Sequence, residues 1–383
     1  MILPPATLGV LGGGQLGRYF VIAAHELGYQ VMVLDPDCNS PTGRIADEHI
    51  AAAYDDPEAL DCMAKNCAAV TTEFESVPAS ALAYLARFVP VHPSAKAVAI
   101  CQNRSAEKSF LKQHGFAHAP YADICSENDI ENADADLFPG ILKVASFGYD
   151  GKGQARVADH AAALAAFRRI KGEPCVLEQQ MKLDYEVSVV LSRDEAGQVK
   201  CFPVAENHHR HGVLDHSIIS AQDSTNDLAT KASEISECVA ARMAYVGTMG
   251  IEFFVVEGHL LVNEIAPRPH NSGHYTLDAC ITNQFEQQVR ALCGLPLGDA
   301  KAHSVAVMAN LLGDIWYADG TLQAREPDWG KLLSVPNLKL HLYGKHDARP
   351  GRKMGHFTVL GENLETVRKT AITARAAIGI RDE

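Results

Sequence analysis

Asn263-Glu264-Ile265-Ala266-Pro267-Arg268-Pro269-His270-Asn271-Ser272-Gly273-His274 is the stretch on which the reading of this chain turns. Just upstream, Gly250-Ile251-Glu252-Phe253-Phe254 sets another acid inside an apolar run. Ile251–Val256 and His259–Ile265 read as the two strands of a hairpin, with Glu257-Gly258 as its turn. Each strand then presents one carboxylate, and the second runs straight into a loop of cationic, polar and conformationally restricted residues. Magnesium takes oxygen ligands and is usually held by one or two carboxylates, with phosphate oxygens and water completing its octahedron. Glu252 and Glu264 are therefore the candidate metal pair, beside a loop suited to a reacting anion.

Toward the N-terminus, residues 7 to 100 alternate strand and helix: Thr7–Leu11, Gly17–Leu27, Gln30–Leu34, Pro57–Asn66 and Ala68–Thr72. Such alternation builds a parallel sheet with helices on its faces, so the fold class is α/β. Asn103–Gly115 reads as a helix that ends at glycine. Strands are expected at Gly140–Val144, Cys175–Gln179, Glu186–Leu191 and Cys201–Val204, and a long helix over Asp227–Tyr245. From about residue 296 short strands and turns dominate, including Leu338–Tyr343 and Met354–Leu360, and a helix from Asn363 closes a small mixed unit.

With 383 residues the chain is too long for one ordinary core, and two to four packed units are expected. Lys and Arg number 34 against 47 Asp and Glu, a net charge of −13. That balance argues against general binding of nucleic acid or anionic membrane. Ten cysteines without a Cys-x-x-Cys spacing read as thiols in a reducing compartment, not a disulfide framework. No signal peptide or bilayer-spanning run is present, so the cytoplasm is the expected location.

Three further motifs carry chemistry. Gly12, Gly14 and Gly17 fit G-x-G-x-x-G after a strand, and Asp35 ends the next strand where a ribose-gripping acid would stand. On this motif alone a nicotinamide or flavin enzyme is a serious alternative, as is a turn needed only for packing. Lys143 ends an apolar strand and is followed by Gly148-Tyr149-Asp150-Gly151-Lys152-Gly153-Gln154. A loop so rich in glycine can close backbone amides over phosphates, with the lysines as point charges. It does not end in Gly-Lys-Ser or Gly-Lys-Thr and so is not a Walker loop. Glu178-Gln179-Gln180-Met181 ends another strand, and Glu186 opens the next; backbone there can meet an adenine edge, and a carboxylate can accept ribose hydroxyls.

The glycine-rich N-terminal unit, Arg104, Lys143, the Gly148–Gln154 flap, the Glu178 strand end and Glu252 with Asn263-Glu264 occur in the order of the ATP-grasp superfamily, which the chain resembles. Within it the chain is similar to the N5-carboxyaminoimidazole ribonucleotide synthetase family, ATP-dependent carboxylases of purine biosynthesis. The likeness runs from Gly12-Gly13-Gly14-Gln15-Leu16-Gly17-Arg18 to Gly344-Lys345 and Arg352-Lys353-Met354-Gly355-His356. It implies an α+β ATP-grasp architecture: a Rossmann-like substrate-binding domain over 1–102, a small lobe with the flap over 103–182, a large lobe with the magnesium site over 183–295 and a β-rich C-terminal domain over 296–383.

The resemblance also implies roles. Arg104 and Lys143 would contact ATP phosphates under the flap, Gly148 to Gln154. Glu178, Gln179, Gln180 and Met181 would line the adenine site, Glu186 would bind the ribose, and His209 would lie near the nucleotide. Asn263 and Glu264 would complete the ATP end, with Glu252 and Glu264 on magnesium. Gln15, Leu16, Glu75, Asn271, Lys345, Arg352 and Lys353 would bind aminoimidazole ribonucleotide, and Tyr149, Lys152, Arg268 and His270 would surround the carboxylation centre. Bicarbonate is the implied second substrate, a homodimer the implied assembly, and the mutase next in the pathway a partner for hand-off. Asn103, Val144, Met181 and His211 depart from the residues common in the family.

Other classes remain open on the residues alone: the formate-dependent sister transformylase, a nicotinamide dehydrogenase and a non-catalytic nucleotide sensor. Lys345, Arg349, Arg352 and Lys353 form a basic run suited to a 5-phosphate, although unaided such a run reads first as a solvated face. His208, His209 and His211, or His270 and His274, have metal-like spacing without supporting ligands, so zinc is disfavoured.

Overall fold

The computed structural model describes residues 1–146, 153–220, 227–320 and 324–380. The N-terminal unit is a four-stranded sheet in the order Glu48–Ile50, Gln30–Leu34, Thr7–Leu11, Ala69–Thr72, every pair parallel. Leu8 pairs with both Val31 and Ala69, which places Thr7–Leu11 at the centre of the sheet. A parallel strand covered on both faces is apolar throughout, and Leu8, Val10 and Leu11 are fully buried. Helix Gln15–Glu26 follows the glycine loop and packs Tyr19 and Phe20 against Phe285 and Val289 of helix Gln284–Leu292. The amide of Gln288 bonds Thr71 Oγ1 at 2.8 Å and the Thr248 N–H. The N-terminal sheet is thereby fastened to the rest of the molecule.

A second sheet, in the order Tyr121–Ile124, Cys175–Gln179, Gly140–Val144, Gln154–Val157, is antiparallel and covered by helix His160–Arg169. The third and largest runs His259–Ala266, Gly247–Val256, Tyr185–Arg193, Ala205–Arg210, Val213–Ile219, Val305–Leu312, Lys353–Gly361, Leu338–Leu342, with Val199–Cys201 paired to Tyr185–Arg193. Helix Asp227–Arg242 covers its first strands and helix Leu364–Ala377 its last. The strands expected after residue 296 have no sheet of their own: His216–Ile219 bonds directly to Ala306–Ala309. All ten cysteines are free, and no helix of the described residues is long and apolar enough to cross a membrane.

The hairpin at the heart of the sequence reading forms, with Glu257 at φ 50° and Gly258 at φ 76°, the two positive angles of a type I′ turn. A second hairpin, Ala205–Arg210 with Val213–Ile219, escapes a reading by apolar alternation because its first strand is Ala-Glu-Asn-His-His-Arg. Its turn places His211 at φ 52° and Gly212 at φ 80°; histidine, like asparagine, is enriched in that region, so His211 keeps the turn. The expected strand Cys201–Val204 shifts to Val199–Cys201, Pro203 having no N–H to give a ladder.

Candidate active site

In the hairpin Glu252 stands opposite Glu264, but Phe253 pairs with Val262, so Asn263 is an extra residue bulged out of the ladder. A bulge re-aims side chains that would otherwise alternate. Val262 and Ile265 are buried, whereas Asn263 and Glu264 are both partly open. Asn263 Nδ2 lies 3.5 Å from Glu252 Oε2, and Glu252 Oε1 lies 3.3 Å from His270 Nε2. Glu264 Oε2 is 3.8 Å from the Arg104 guanidinium. Burial, then the neighbouring Glu264 charge, pushes the Glu252 carboxyl up to about 7. Two carboxylates held against their own repulsion suit a divalent cation, whose charge reverses that effect.

Arg104 opens helix Arg104–Gln113, and Asn103 caps it by accepting the Ala106 N–H at 3.0 Å. Asparagine and aspartate cap equally well, so Asn103 leaves that contact intact. Arg104, Glu107 and Lys108 recur at the i, i+3, i+4 spacing of one helix face. Glu107 accepts the Ile265 N–H at 2.6 Å, and burial followed by the Glu264 charge pushes its carboxyl up to about 8. Lys108 reaches Glu178 at 3.1 Å, and Lys143 reaches the other oxygen of the same carboxylate at 2.6 Å. These three side chains are 1%, 2% and 6% exposed for Lys108, Glu178 and Lys143. Burial opposes the Glu178 charge, but the two ammonium groups prevail and hold it near 2. Burial also draws the Lys143 pKa down, against Glu178. With two cations over one anion, the carboxylate is the group firmly held ionised.

On the adjoining strands Glu186 Oε1 lies 3.3 Å from His209 Nδ1, and both approach Glu252. Gln179 Nε2 donates to the Asp136 carbonyl at 2.8 Å, and the Gln180 N–H to that of Pro139 at 2.9 Å; Met181 follows, partly exposed. Gly148, Tyr149, Asp150, Gly151 and Lys152 lie outside the described residues. Gly153 adopts φ 72°, and a Cβ there would meet Val144 at 2.4 Å. Gln154 pairs with Lys143 in the ladder.

The glycine loop settles what its motif left open. Glu73 accepts the Gly14 N–H at 2.7 Å and the Gly17 N–H at 3.0 Å, and Asp35 accepts the Gly13 N–H at 2.6 Å and the Tyr54 hydroxyl at 2.6 Å. The amides that would cradle a pyrophosphate are thus filled by the protein's own carboxylates, and the ribose-gripping acid is turned inward. The three glycine amides and the strand-end acid of the dinucleotide motif are thus spent on the protein itself. Gln15 and Leu16 start the helix at this rim, Leu16 buried in the core.

Arg268 pairs with Glu75, while its second nitrogen donates to the Pro269 carbonyl at 3.0 Å. A polar cavity of about 30 Å³ is lined by Glu75, Gln102, Arg104, Glu107 and Glu264, so that Glu75 of this pair and Glu264 of the hairpin face the same space. Lys345 Nζ donates to the Lys353 carbonyl at 2.7 Å, Arg352 to the Asp347 carbonyl at 2.8 Å, and the Lys353 charge bears on Glu75, Glu252 and His270. Asn271 is buried with neither amide atom hydrogen-bonded among the described residues. A larger cavity, about 110 Å³, is lined by Tyr185, Val187, Leu228 and Leu364; strand alternation puts Tyr185 and Val187 on the face opposite Glu186.

A further set of histidines stacks face to face. His274, His356 and His341 stack with centroids 4.6 Å apart and planes within 16°, and His341 bonds Asp278 at 2.8 Å. Ligand atoms of Asp278, His341 and His356 lie within 4.8 Å of one another, with His341 Nε2 on Asp278 and His356 Nδ1 on the Tyr343 hydroxyl.

The sequence reading overlooked Glu73, Glu107 and Lys108. Glu107 and Lys108 left a trace: charged residues on the face of a helix that must also bury Phe110 and Leu111.

Comparison with known proteins bears on this arrangement. Residues 5–102 match the ribonucleotide synthetase preATP-grasp domain, 109–285 the ATP-grasp domain and 306–370 the phosphoribosylaminoimidazole carboxylase C-terminal domain. The N5-carboxyaminoimidazole ribonucleotide synthase of Brucella melitensis is 43% identical over 362 residues, 93% of this chain and 96% of that one. The chain is a member of this synthase family. Its fold is that of the family's solved structures. An ADP complex of N5-carboxyaminoimidazole ribonucleotide synthetase superposes with a TM-score of 0.90 at 38% identity, covering 98% of this chain and 97% of that one. The Aspergillus clavatus enzyme in complex with ADP and 5-aminoimidazole ribonucleotide gives 0.87 at 30% identity, covering 97% and 98%. Members of the family are ATP-grasp ligases, and this chain is one.

Proposed function

We propose that the chain carboxylates the exocyclic amine of 5-aminoimidazole ribonucleotide to N5-carboxyaminoimidazole ribonucleotide, using ATP and bicarbonate and releasing ADP and phosphate, in purine (IMP) biosynthesis. The observation that carries this reading is a run of paired charges: Lys143 on Glu178, Arg104 on Glu264, Asn263 and His270 beside Glu252, and Arg268 on Glu75, with Glu75, Arg104 and Glu264 lining one polar cavity. A nucleotide at the first of these pairs and a ribonucleotide at the last would meet at Arg268 and His270.

In this reading bicarbonate oxygen attacks the γ-phosphorus of ATP, the bond to ADP breaks, and carboxyphosphate forms. Its carboxyl carbon, directly or as released carbon dioxide, is then taken by the amine, with phosphate leaving. Lys143 and Arg104 offset negative charge on the phosphates by position and electrostatics. Glu178 to Met181 offer backbone to adenine, Glu186 accepts ribose hydroxyls, and His209 steadies Glu186. Arg268 grips a planar oxyanion through two parallel hydrogen bonds, with Glu75 holding the guanidinium in place. Lys345, Arg352 and Lys353 receive the 5-phosphate, and Gln15, Leu16 and Asn271 complete that end. The flap, Gly148 to Gln154 with Tyr149 and Lys152, keeps water from a labile intermediate.

The carboxylate pair fits magnesium, which would be held by Glu252 and Glu264 and would neutralise phosphate charge. The reading extends to residues 1–102 as the ribonucleotide-binding domain, 103–182 and 183–295 as the two ATP lobes and 296–383 as the phosphate-gripping end. It further extends to a cytoplasmic homodimer that passes its labile product to the mutase next in the pathway. The test is magnesium-dependent ADP release that requires aminoimidazole ribonucleotide and bicarbonate together; release indifferent to the ribonucleotide would sink the proposal.

A further inference from the structure

Behind His270 a line of buried polar groups crosses the large sheet. Ser217 Oγ donates to Asn207 Oδ1 at 2.7 Å, and Asn207 Nδ2 donates to Ser188 Oγ at 2.8 Å. Ser188 Oγ lies 2.7 Å from Ser272 Oγ, which lies 2.8 Å from His270 Nδ1. Asn207 and Ser217 are cross-strand partners, Ser188 projects from the next strand, and Ser272 follows the Pro267–His270 loop. All four supporting side chains are buried, where an unpaired hydroxyl or amide is costly.

The direction of the line follows from its fixed end. The Ser272 backbone N–H, which can only donate, points at His270 Nδ1 from 3.3 Å. Nδ1 is therefore an acceptor, and the Ser272 hydroxyl at 2.8 Å must donate to it as well. Having spent its proton, Ser272 Oγ accepts from Ser188, and Ser188 Oγ accepts from the Asn207 amide, a side-chain donor at the far end. A neutral imidazole whose Nδ1 accepts carries its proton on Nε2. That nitrogen faces Glu252 Oε1 at 3.3 Å.

We infer that Asn207, Ser188 and Ser272 are positioning residues that fix the tautomer of His270, so that the ring offers an Nε2–H donor to the cleft. His270 then presents a hydrogen-bond donor to the groups it faces. The identity of the acceptor rests on the carboxylase reading; the tautomer does not.

The test is long-range proton–nitrogen correlation NMR on the whole protein labelled with ¹⁵N-histidine, His270→Gln assigning the His270 signals by their loss. Wild type should show unprotonated Nδ1 and protonated Nε2. Asn207→Asp keeps the shape of the amide but replaces the donor with an acceptor, and it should shift both His270 nitrogens, as should Ser272→Ala; Ser272→Thr, which keeps the hydroxyl, should restore them. In turnover, Asn207→Asp and Ser272→Ala should lower kcat about tenfold, as for lost outer partners of a site, with KM for ATP unchanged. A protonated Nδ1 in wild type overturns the inference, and so does a His270 spectrum that neither Asn207→Asp nor Ser188→Ala alters. Absence of ribonucleotide-dependent ADP release by wild type would instead overturn the carboxylase reading and leave the NMR result standing.

Discussion

Glu178→Gln removes the one anion between two buried ammonium groups. Lys108 and Lys143 approach opposite oxygens of Glu178 at 3.1 and 2.6 Å, and all three side chains are buried. The Glu178 carboxyl falls from 4.5 to about 2, with burial opposing and Lys143 and Lys108 driving the change. At about 1.4 kcal/mol per pH unit the interaction amounts to roughly 3 kcal/mol, within the ~3–5 kcal/mol of breaking a buried pair on one side. Urea unfolding at pH 7 should therefore find the variant about 3 kcal/mol less stable. Lys108→Met leaves Lys143 and Glu178 as a balanced pair and should cost about 1 kcal/mol or less. The folded pKa is the lower one, so the contribution is complete above about 4.5 and disappears as pH falls toward about 2. The gap between wild type and Glu178→Gln should close over that window. A loss below about 1 kcal/mol at pH 7 would refute the reasoning, since it leaves two buried cations content without their anion, and so would an equal loss in Lys108→Met, since the anion is still present there.

Glu107 titrates in the opposite sense. Its folded pKa of about 8 exceeds 4.5, so stability should decline as pH rises between those values, and Glu107→Gln, which still accepts the Ile265 N–H, should flatten the decline in urea unfolding at pH 6 and 8. Arg268→Lys keeps a charge but loses the two-pronged grip; kcat should fall about a hundredfold with KM for ATP unchanged, and normal turnover with weakened ATP binding would contradict the assigned role. Gly13→Ala would set a Cβ 2.4 Å from Ser40 and 2.6 Å from Asp35, and the overpacking should cost about 1–3 kcal/mol, read by thermal unfolding. Reduced nicotinamide dinucleotide should not bind wild type, since Glu73 and Asp35 fill the loop amides; a micromolar dissociation constant by fluorescence would show otherwise.

What the sequence made legible follows from how local the signal was. Pro57–Asn66, Gly140–Val144 and Cys175–Gln179 form where they were expected, because caps, apolar runs and breakers act within a few residues. The hairpin bearing Glu252 and Glu264 was equally plain. The bulge at Asn263 was not, since only cross-strand pairing reveals the extra residue. The Ala205–Arg210 strand hid in polar sequence because its alternating side chains face a polar cleft and line the route from Asn207 to His270. Glu73 was indistinguishable from any strand-end acid until the glycine amides, 59 and 56 residues away in sequence, closed on it. The same contact rejects the dinucleotide reading that the glycine pattern had kept alive. The resemblance supplied the candidate roles, and the structure sets Arg104 on Glu264, Lys143 on Glu178, and Asn263 and His270 beside Glu252, while the flap's Tyr149 and Lys152 fall outside the described residues.

The central claim is that this cleft transfers bicarbonate carbon to the amine of aminoimidazole ribonucleotide. The direct measurement supplies wild type with ATP, magnesium and labelled bicarbonate plus aminoimidazole ribonucleotide, beside a parallel reaction with glycinamide ribonucleotide and labelled formate. ADP release matched one-for-one by label in acid-labile carboxyaminoimidazole ribonucleotide, with none from formate, is the outcome the account predicts. Formate incorporation, or ADP release without labelled product in either reaction, would contradict it.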